Sequence, residues 1–325
     1  MNWLITGGCG FIGRNLIRNL QDEGGHRIRI IDNLSVGSRE DLDTVCTFSE
    51  VSSPTPGMSS GVELIVGDIL DEKLAVEVTE GVDIIVHLAA NTGVAPSVKN
   101  PRFDCITNIV GTLNYLEAAR EHTIKRFIFA SSGAPAGECE PPIHEELPPH
   151  PVSPYGASKL AGEGYCSAYF RTFGVETVCL RFSNVYGPLS SKKNSVVAKF
   201  LKSALEGKTL EIFGDGKQTR DFLYVEDLVR AVRLAGTVDG IGGETFQIAT
   251  SQETTVGEMT ELLISVFKEM VPDKNIQVHY AEPQLGDVSR NFSDTSKALK
   301  SLGWRAEVEL AAGMRKTLDW FLAQR

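Results

Sequence analysis

The chain has 325 residues, room for two or three domains of roughly 100–200 residues, or for one large α/β unit with an appendage. Apolar residues make up 42% and charged residues 23%, ordinary globular usage that excludes wholesale disorder. With 32 basic and 42 acidic side chains the formal charge is −10, which argues against nucleic acid or an anionic membrane as a partner; an anionic substrate needs a local positive site.

Cysteines 9, 46, 105, 139, 166 and 179 include no C-x-x-C pair and are too sparse for a disulfide framework, so reduced thiols in a cytoplasm are expected. No secretory leader is read at the N-terminus, and no run of 18 apolar residues occurs, so no membrane span is expected.

In chain order, Trp3–Thr6 reads as a strand before a glycine-rich turn. Phe11, Ile12, Leu16, Ile17 and Leu20 then recur at helical spacing. Strands are expected at 27–32, 62–66, 82–90, 127–130 and 175–182, and helices at 106–119 and 155–173. Strands that are apolar throughout and alternate with helices predict a doubly wound parallel sheet covered on both faces. Residues 41–61 read as a polar, turn-rich loop. The proline- and glutamate-rich stretch 134–154 reads as an extended surface excursion. From about residue 185 the pattern changes. Helices near 195–206, 225–236, 256–270 and 308–323 mix with short strands near 209–213, 244–249 and 276–280. The expected division is a Rossmann domain over 1–184 and a smaller, partly interleaved α/β substrate domain over 185–325, with some segments returning to the first.

Gly7, Gly10 and Gly13 lie between a strand and a helix. Such glycines let the backbone approach a pyrophosphate, whose charge meets the helix N-terminus. Asp32 ends the second strand, 19 residues past Gly13. An acid there suits a ribose 2′-hydroxyl and repels a 2′-phosphate, favouring NAD over NADP. The alternative is an ordinary turn with a capping aspartate. Tyr155 and Lys159 stand four residues apart at a helix start, hence on one face. An ammonium beside a phenol favours the phenolate, which makes Tyr155 a candidate general base. Upstream, Phe127–Ala130 runs into Ser131 and Ser132, and catalytic groups in open α/β sheets sit at strand carboxyl ends. Loop punctuation or a helix cap is the commoner role for two such serines.

The G-x-x-G-x-x-G spacing and the Y-x-x-x-K pair resemble the extended short-chain dehydrogenase/reductases. Further strings bring the resemblance close to the nucleotide-sugar epimerase/dehydratase family, in the manner of UDP-sugar 4-epimerases. These are Gly67-Asp68-Ile69, His87-Leu88-Ala89-Ala90, Asn108-Ile109-Val110-Gly111-Thr112, Arg181-Phe182-Ser183-Asn184-Val185-Tyr186-Gly187-Pro188 and Arg220-Asp221-Phe222. The resemblance implies NAD as cofactor, held by Gly7, Gly10, Phe11, Ile12, Gly13, Asp32, Asn33, Ser35, Asp68, Ile69, Leu88, Ala89, Ala90, Asn108, Tyr155, Lys159 and Phe182. It implies Ser132, Tyr155 and Lys159 as catalytic, and no metal. For the nucleotide sugar it implies Ser97, Ser132, Asn184, Val197, Phe213, Arg220 and Asp287, with Arg220 clamping phosphate oxygens. A surface ion pair of Arg220 with Asp221 or Glu226 is the competing role. A homodimer is also implied, with helices near 103–120 and 155–172 packing against their copies.

Three positions depart from the family pattern. Pro135-Ala136 replaces the usual tyrosine before Gly137, and Gln284 stands where a phosphate-binding arginine is common. Lys192, Lys193 and Arg290 are the candidate replacements for that arginine. Gly133 and Ala134 follow Ser132, where dehydratases carry an acid. The G-x-S-x-G match at 57–61 lacks a strand before it and a helix after it, so it is no nucleophile elbow. Three activities stay open: a 4-epimerase, a dehydratase or net oxidoreductase on similar sugars, and a non-catalytic NAD-binding scaffold.

Overall fold

The structure is a computed structural model that describes residues 1–54, 58, 61–282 and 288–324. Gly57, Ser59, Ser60, Gln284 and Asp287 lie outside the described residues.

The strand–helix alternation folds as one eight-stranded sheet. Its strands are β1 (Asn2–Thr6), β2 (Arg27–Asp32), β3 (Ser49–Glu50), β4 (Val62–Val66), β5 (Ile84–His87), β6 (Arg126–Ser132), β7 (Thr177–Phe182) and Glu244–Ile248. Their order is Glu244–Ile248, β7, β6, β5, β1, β2, β4, β3. β1 pairs in parallel with β2 and β5, β4 with β2 and β3, and β5 with β6. The chain runs outward from β1 through β2 and β4, then restarts on the other side at β5. The carboxyl ends of β1 and β5 therefore form a topological switch point, where ligands bind in such sheets. Leu4, Ile31, Ile65, Ile85, Phe127 and Phe129 are buried in the apolar core of this sheet. β2 and β4 also carry a buried ion pair: Arg29 and Glu63 are register partners, and Arg29 donates further to the carbonyls of Val78 (2.7 Å) and Glu80 (2.9 Å).

The chain divides into two compact units: residues 1–137, 147–181 and 229–246, and residues 138–146, 182–228 and 247–325. The second unit packs the helices Val196–Leu205, Val256–Met270 and Leu310–Ala323 around Phe200, Leu201, Ile212, Leu263, Phe267 and Leu318. Two parallel strand pairs, Asn184–Tyr186 with Phe222–Tyr224 and Leu210–Phe213 with Val278–Ala281, complete it, together with the antiparallel pair Thr219–Arg220 and Thr254–Thr255.

Several elements differ from expectation. The strand expected at 82–90 spans Ile84–His87; past its last ladder bond, Leu88 N–H to the Thr6 carbonyl (3.2 Å), the Ala89 N–H turns to the Thr6 hydroxyl (3.0 Å). The strand near 244–249 belongs to the large sheet. The loop at 41–61 begins within a short helix, Arg39–Asp43, and carries β3. The helix expected at 106–119 opens with a π-helical turn, Ile106–Val110, before Gly111–Glu121. No described helix is long and apolar enough to cross a membrane.

Candidate functional site

β1 enters the glycine turn and the helix Phe11–Glu23 leaves it. Gly7 has φ +70°, and a Cβ there would lie 3.0 Å from the Ala89 backbone; one on Gly13 would lie 2.6 Å from Gly8. Larger residues are thus excluded where β1, the turn and the loop after β5 meet. The helix has no side-chain cap and no acid in its first turn, which leaves its N–H groups for an anion.

Asp32 closes this turn from the end of β2. One carboxylate oxygen accepts the Cys9 N–H and the other the Leu34 N–H, both at 2.9 Å. A carboxylate has about four lone-pair directions, so two remain for hydroxyl donors. Burial pushes the Asp32 acid upward, and these two N–H bonds pull it back. The neighbouring strand ends are joined by Asn33 Nδ2 donating to Asp68 (3.1 Å), while Asn33 Oδ1 accepts the Ser35 N–H (3.1 Å). Ile69 is buried. Leu88, Ala89 and Ala90 are half-buried after β5. Glycines at the points of closest approach, an uncapped helix start and a partly engaged acid fit a dinucleotide.

The helix Pro154–Phe173 starts at Ser153, whose hydroxyl accepts the Gly156 N–H (3.1 Å). Gly162 lets it close on β6: a Cβ there would fall 2.3 Å from the Phe129 ring. This sets Tyr155 and Lys159 over the end of β6. Ser132 comes close enough to the Tyr155 phenol to favour its ionised form. It does so although Pro135 and Ala136 form a tight 3₁₀ turn, whose Ala134 N–H donates back to Ser132 Oγ (3.2 Å).

Lys159 is buried, donates to the Ala130 carbonyl (2.7 Å), and lies 6.0 Å from the centroid of the Tyr155 ring. Burial pushes Lys159 down to about 8, against the pull of Asp104 and Glu163. Burial pushes the Tyr155 phenol up to about 12; Ser132 lowers it and Asp104 raises it further. The lowering expected from Lys159 does not offset burial here.

The π-helical turn carries Asn108, whose side chain the sequence placed only beside the cofactor. It is buried, and its Oδ1 accepts the Asn91 N–H at 2.7 Å. Its Nδ2 donates to Ser158 Oγ (3.0 Å), Asp104 Oδ1 (3.1 Å) and the Asn91 carbonyl (3.1 Å). Asn91, Asp104 and Ser158 were not singled out in the sequence. The available signals were Asp104 one helical turn before Asn108, and Ser158 inside the Tyr155–Lys159 string. Also unanticipated is Glu163, one turn past Lys159, which accepts from Ser131 (2.6 Å) and pairs bidentately with Arg181 (2.8 and 2.7 Å).

His87 is buried beside the rings of Tyr115, Phe127 and Phe129, with Thr6 and Thr112 on its two nitrogens at 3.0 and 3.2 Å. Burial holds it down to about 3, so it is neutral at physiological pH. Ser97 is buried with its hydroxyl on the Val94 carbonyl (2.7 Å). Among the described residues no cluster of three His, Cys, Asp or Glu side chains suits a metal.

In the second unit, Asn184 and Phe222 are register partners. Phe213 ends its strand half-buried, with the Lys199 ammonium 5.2 Å from its ring centroid. Phe182 and Val197 are buried, Val197 within the unit's apolar core. Arg220 is half-buried and donates to the carbonyls of Thr219 (2.6 Å) and Val288 (2.8 Å). The two acids considered as its partners in the sequence also make bonds of their own. Asp221 accepts from Thr250 and Ser251, and Glu226 pairs with Lys316 at 3.0 Å. Of the three replacements for the missing arginine, Arg290 is held by Glu253 and Glu140, both at 2.7 Å. Lys192 is exposed. Lys193 is half-buried, its ammonium lowered by burial and without a hydrogen-bond partner among the described residues.

Residues 3–249 match the model of the NAD dependent epimerase/dehydratase family. The chain is 35% identical over 326 residues to a UDP-glucose 4-epimerase of Mycolicibacterium smegmatis, covering 99% of this chain and 98% of that one. The crystal structure of Thermotoga maritima UDP-glucose 4-epimerase with UDP-glucose is similar at TM-score 0.87 and 35% identity, covering 100% and 99% of the two chains. UDP-glucuronic acid 4-epimerase from Bacillus cereus, in complex with UDP-glucuronic acid and NAD, is similar at TM-score 0.87 and 28% identity, with both chains fully covered. The chain is a member of the NAD dependent epimerase/dehydratase family.

Proposed function

We propose that the protein inverts C4 of a UDP-sugar, with NAD held at the glycine turn. The observation that carries this reading is Ser132 set beside Tyr155, on a strand end whose next two residues, Gly133 and Ala134, offer no acid. Gly7 to Gly13 would receive the pyrophosphate on the helix start, and Asp32 the ribose hydroxyls. When bound, NAD supplies the hydride acceptor and donor for the sugar C4.

Tyr155 Oη takes the proton of the sugar 4-hydroxyl while Ser132 Oγ hydrogen-bonds the same region. The 4-keto sugar turns over, and Tyr155 returns the proton to that oxygen. Lys159 holds the nicotinamide ribose hydroxyls, and its charge favours the phenolate once the site is filled. Arg220 and Asn184 hold the diphosphate, and Phe213 lies against the base. Lys193 is the best-suited stand-in for the absent arginine, because its desolvated ammonium gains most from a phosphate partner.

A dehydratase needs an acid–base group aimed at C5 and C6, which Gly133 and Ala134 cannot supply. A scaffold has no use for the Ser132–Tyr155–Lys159 arrangement. The protein also pairs as a homodimer in this reading. Phe103, Ile106 and Val110, at 51%, 38% and 42% exposure, and Tyr165 at 40% leave an apolar surface on the helices that would pair.

The test incubates the protein with UDP-glucose, UDP-N-acetylglucosamine and UDP-glucuronic acid in D₂O, with NAD as the sole added cofactor. The expected result is an equilibrium mixture of C4 epimers by NMR, approached from either side, with carbon-bound hydrogens unlabelled. Deuterium at C5, or NADH accumulating with turnover, overturns the reading. A monomer by sedimentation at micromolar concentration removes the dimer.

A further inference from the structure

Asp104 is fully buried, and its Oδ2 has no hydrogen-bond partner among the described residues. A buried carboxylate oxygen left unmatched is costly unless its charge is used. Its other oxygen is occupied: Oδ1 accepts from Asn108 Nδ2 (3.1 Å) and Asn91 Nδ2 (3.3 Å). Asn108 in turn donates to Ser158 Oγ (3.0 Å). Ser158 spends its own O–H on the Tyr155 carbonyl (3.0 Å), so towards Asn108 it acts as acceptor. The bonds of the chain Asp104–Asn108–Ser158–Tyr155 therefore diverge from the Asn108 amide, which donates to Asp104 on one side and to Ser158 on the other. The chain ties the short helix Pro101–Cys105 to the turn of helix that presents Tyr155 and Lys159.

The same carboxylate bears on the buried Lys159 ammonium. Around Lys159 stand Glu163, Cys166 and Tyr155 from its own helix, Cys179 from β7, His87 from β5, the Phe129 ring and Ala130 carbonyl of β6, and Asp104. His87 is neutral, and burial keeps the Cys166 thiol protonated. Glu163 is neutralised by its bidentate Arg181. Asp104 is thus the acid facing Lys159 that has no ion-pair partner of its own among the described residues.

We propose that Asp104 is a positioning residue of the reaction centre: it fixes the Asn108 amide, and through Ser158 the Tyr155–Lys159 turn, and it supplies the counter-charge of the Lys159 ammonium. This rests on the catalytic reading above. The carboxylate favours a charged Lys159 and disfavours an ionised Tyr155, so it sets the pH range in which the pair works together.

Two variants separate its two roles. Asp104→Asn keeps an acceptor oxygen for Asn108 and Asn91 but removes the charge. Asp104→Leu removes both. Burial pushes the Lys159 ammonium down to about 8, so the wild-type kcat should fall on an alkaline limb in that region. In Asp104→Asn that limb should move to lower pH by about half a unit or more, with kcat at pH 7 within about threefold of wild type. In Asp104→Leu, kcat should fall by about tenfold or more while KM for the nucleotide sugar stays within about twofold, because buried donors lose their acceptor. An alkaline limb unmoved in Asp104→Asn overturns the inference, and so does a wild-type kcat in Asp104→Leu. If the leucine variant fails to fold, the asparagine variant decides alone. If the wild type epimerises none of the sugars, the catalytic reading has failed. The affinity for NAD between pH 6 and 9 then still tests Asp104: it should weaken at lower pH in Asp104→Asn than in wild type, and identical profiles overturn the inference.

Discussion

The two units handle polar groups in opposite ways. In the first, Ser132 and Tyr155 are half-buried, but they stand on a buried network: Lys159 donates to Ala130, and Asn108 bonds Asp104, Asn91 and Ser158. In the second, the candidate nucleotide contacts Asn184, Phe213 and Arg220 are half-buried side chains. Arg220 leans on backbone carbonyls. A buried network is intolerant of change because each orphaned group costs about 1–3 kcal/mol. A half-exposed contact is replaceable, since solvent takes over much of what it loses. The first unit should therefore govern turnover, and the second affinity and choice of substrate.

The sharpest way to break this contrast is Tyr155→Phe, which keeps the ring and removes the titrating oxygen. Turnover should fall by about 10²–10⁴, the scale of general acid–base catalysis, with NAD binding little changed. Near-normal turnover removes Tyr155 from the chemistry. The second unit is probed by Arg220→Gln. If its guanidinium clamps the diphosphate, KM should rise about 10- to 100-fold with kcat nearly constant, as the loss of a charge-assisted bond predicts. The melting temperature must be followed too, because Thr219 and Val288 lose a donor. A fall in kcat without a rise in KM contradicts the assignment.

The same contrast explains what could be read from the sequence. The glycine turn, Asp32 and the Tyr155–Lys159 pair are fixed to regular elements. There a spacing of three or four residues, or a strand end, specifies position, and all of them fall where those elements predict. The Asp104–Asn108–Ser158 network depends on a π-helical turn at 106–110, a local departure that apolar periodicity does not report. Arg29 and Glu63, read simply as strand residues, form a buried pair because β2 and β4 place them side by side. The strand Glu244–Ile248 shows a similar limit: its local pattern marks a strand and says nothing of which sheet it joins. In the second unit Arg220 reads as a phosphate ligand by residue type, while engagement of Asp221 by Thr250 and Ser251 becomes visible only in the fold.

Asp32 tests an intermediate case, because it serves the fold and, in the proposed function, the cofactor as well. Asp32→Ala leaves the N–H groups of Cys9 and Leu34 without their acceptor and removes the negative charge at the end of β2. The affinity for NAD should weaken by about tenfold, roughly one charge-assisted hydrogen bond, and the preference over NADP should shrink. Titrating wild type and variant with both cofactors reads this directly. Equal wild-type affinity for NAD and NADP removes Asp32 as the selector.

The smallest effect is expected where sequence alone offers a plausible cation and the structure takes it away. Arg290 is one of three candidates for the arginine absent at Gln284. Its guanidinium is bound by both oxygens of Glu253, at 2.7 and 3.0 Å, and by Glu140 at 2.7 Å. Recruiting it to a diphosphate would break at least one of these bonds, and the phosphate would then sit against two carboxylates. Arg290→Gln should therefore change KM by less than about twofold, as expected for exposed ion pairs that contribute little. Lys193 differs in having no such partner among the described residues. Its ammonium is already desolvated, so a phosphate restores an interaction that burial has removed. Lys193→Gln should raise KM several-fold more than Arg290→Gln does, at unchanged kcat. Measured side by side on one nucleotide sugar, a larger KM increase for Arg290→Gln would show that the Glu253 and Glu140 pairing yields to substrate, and would transfer the clamp from Lys193 to Arg290.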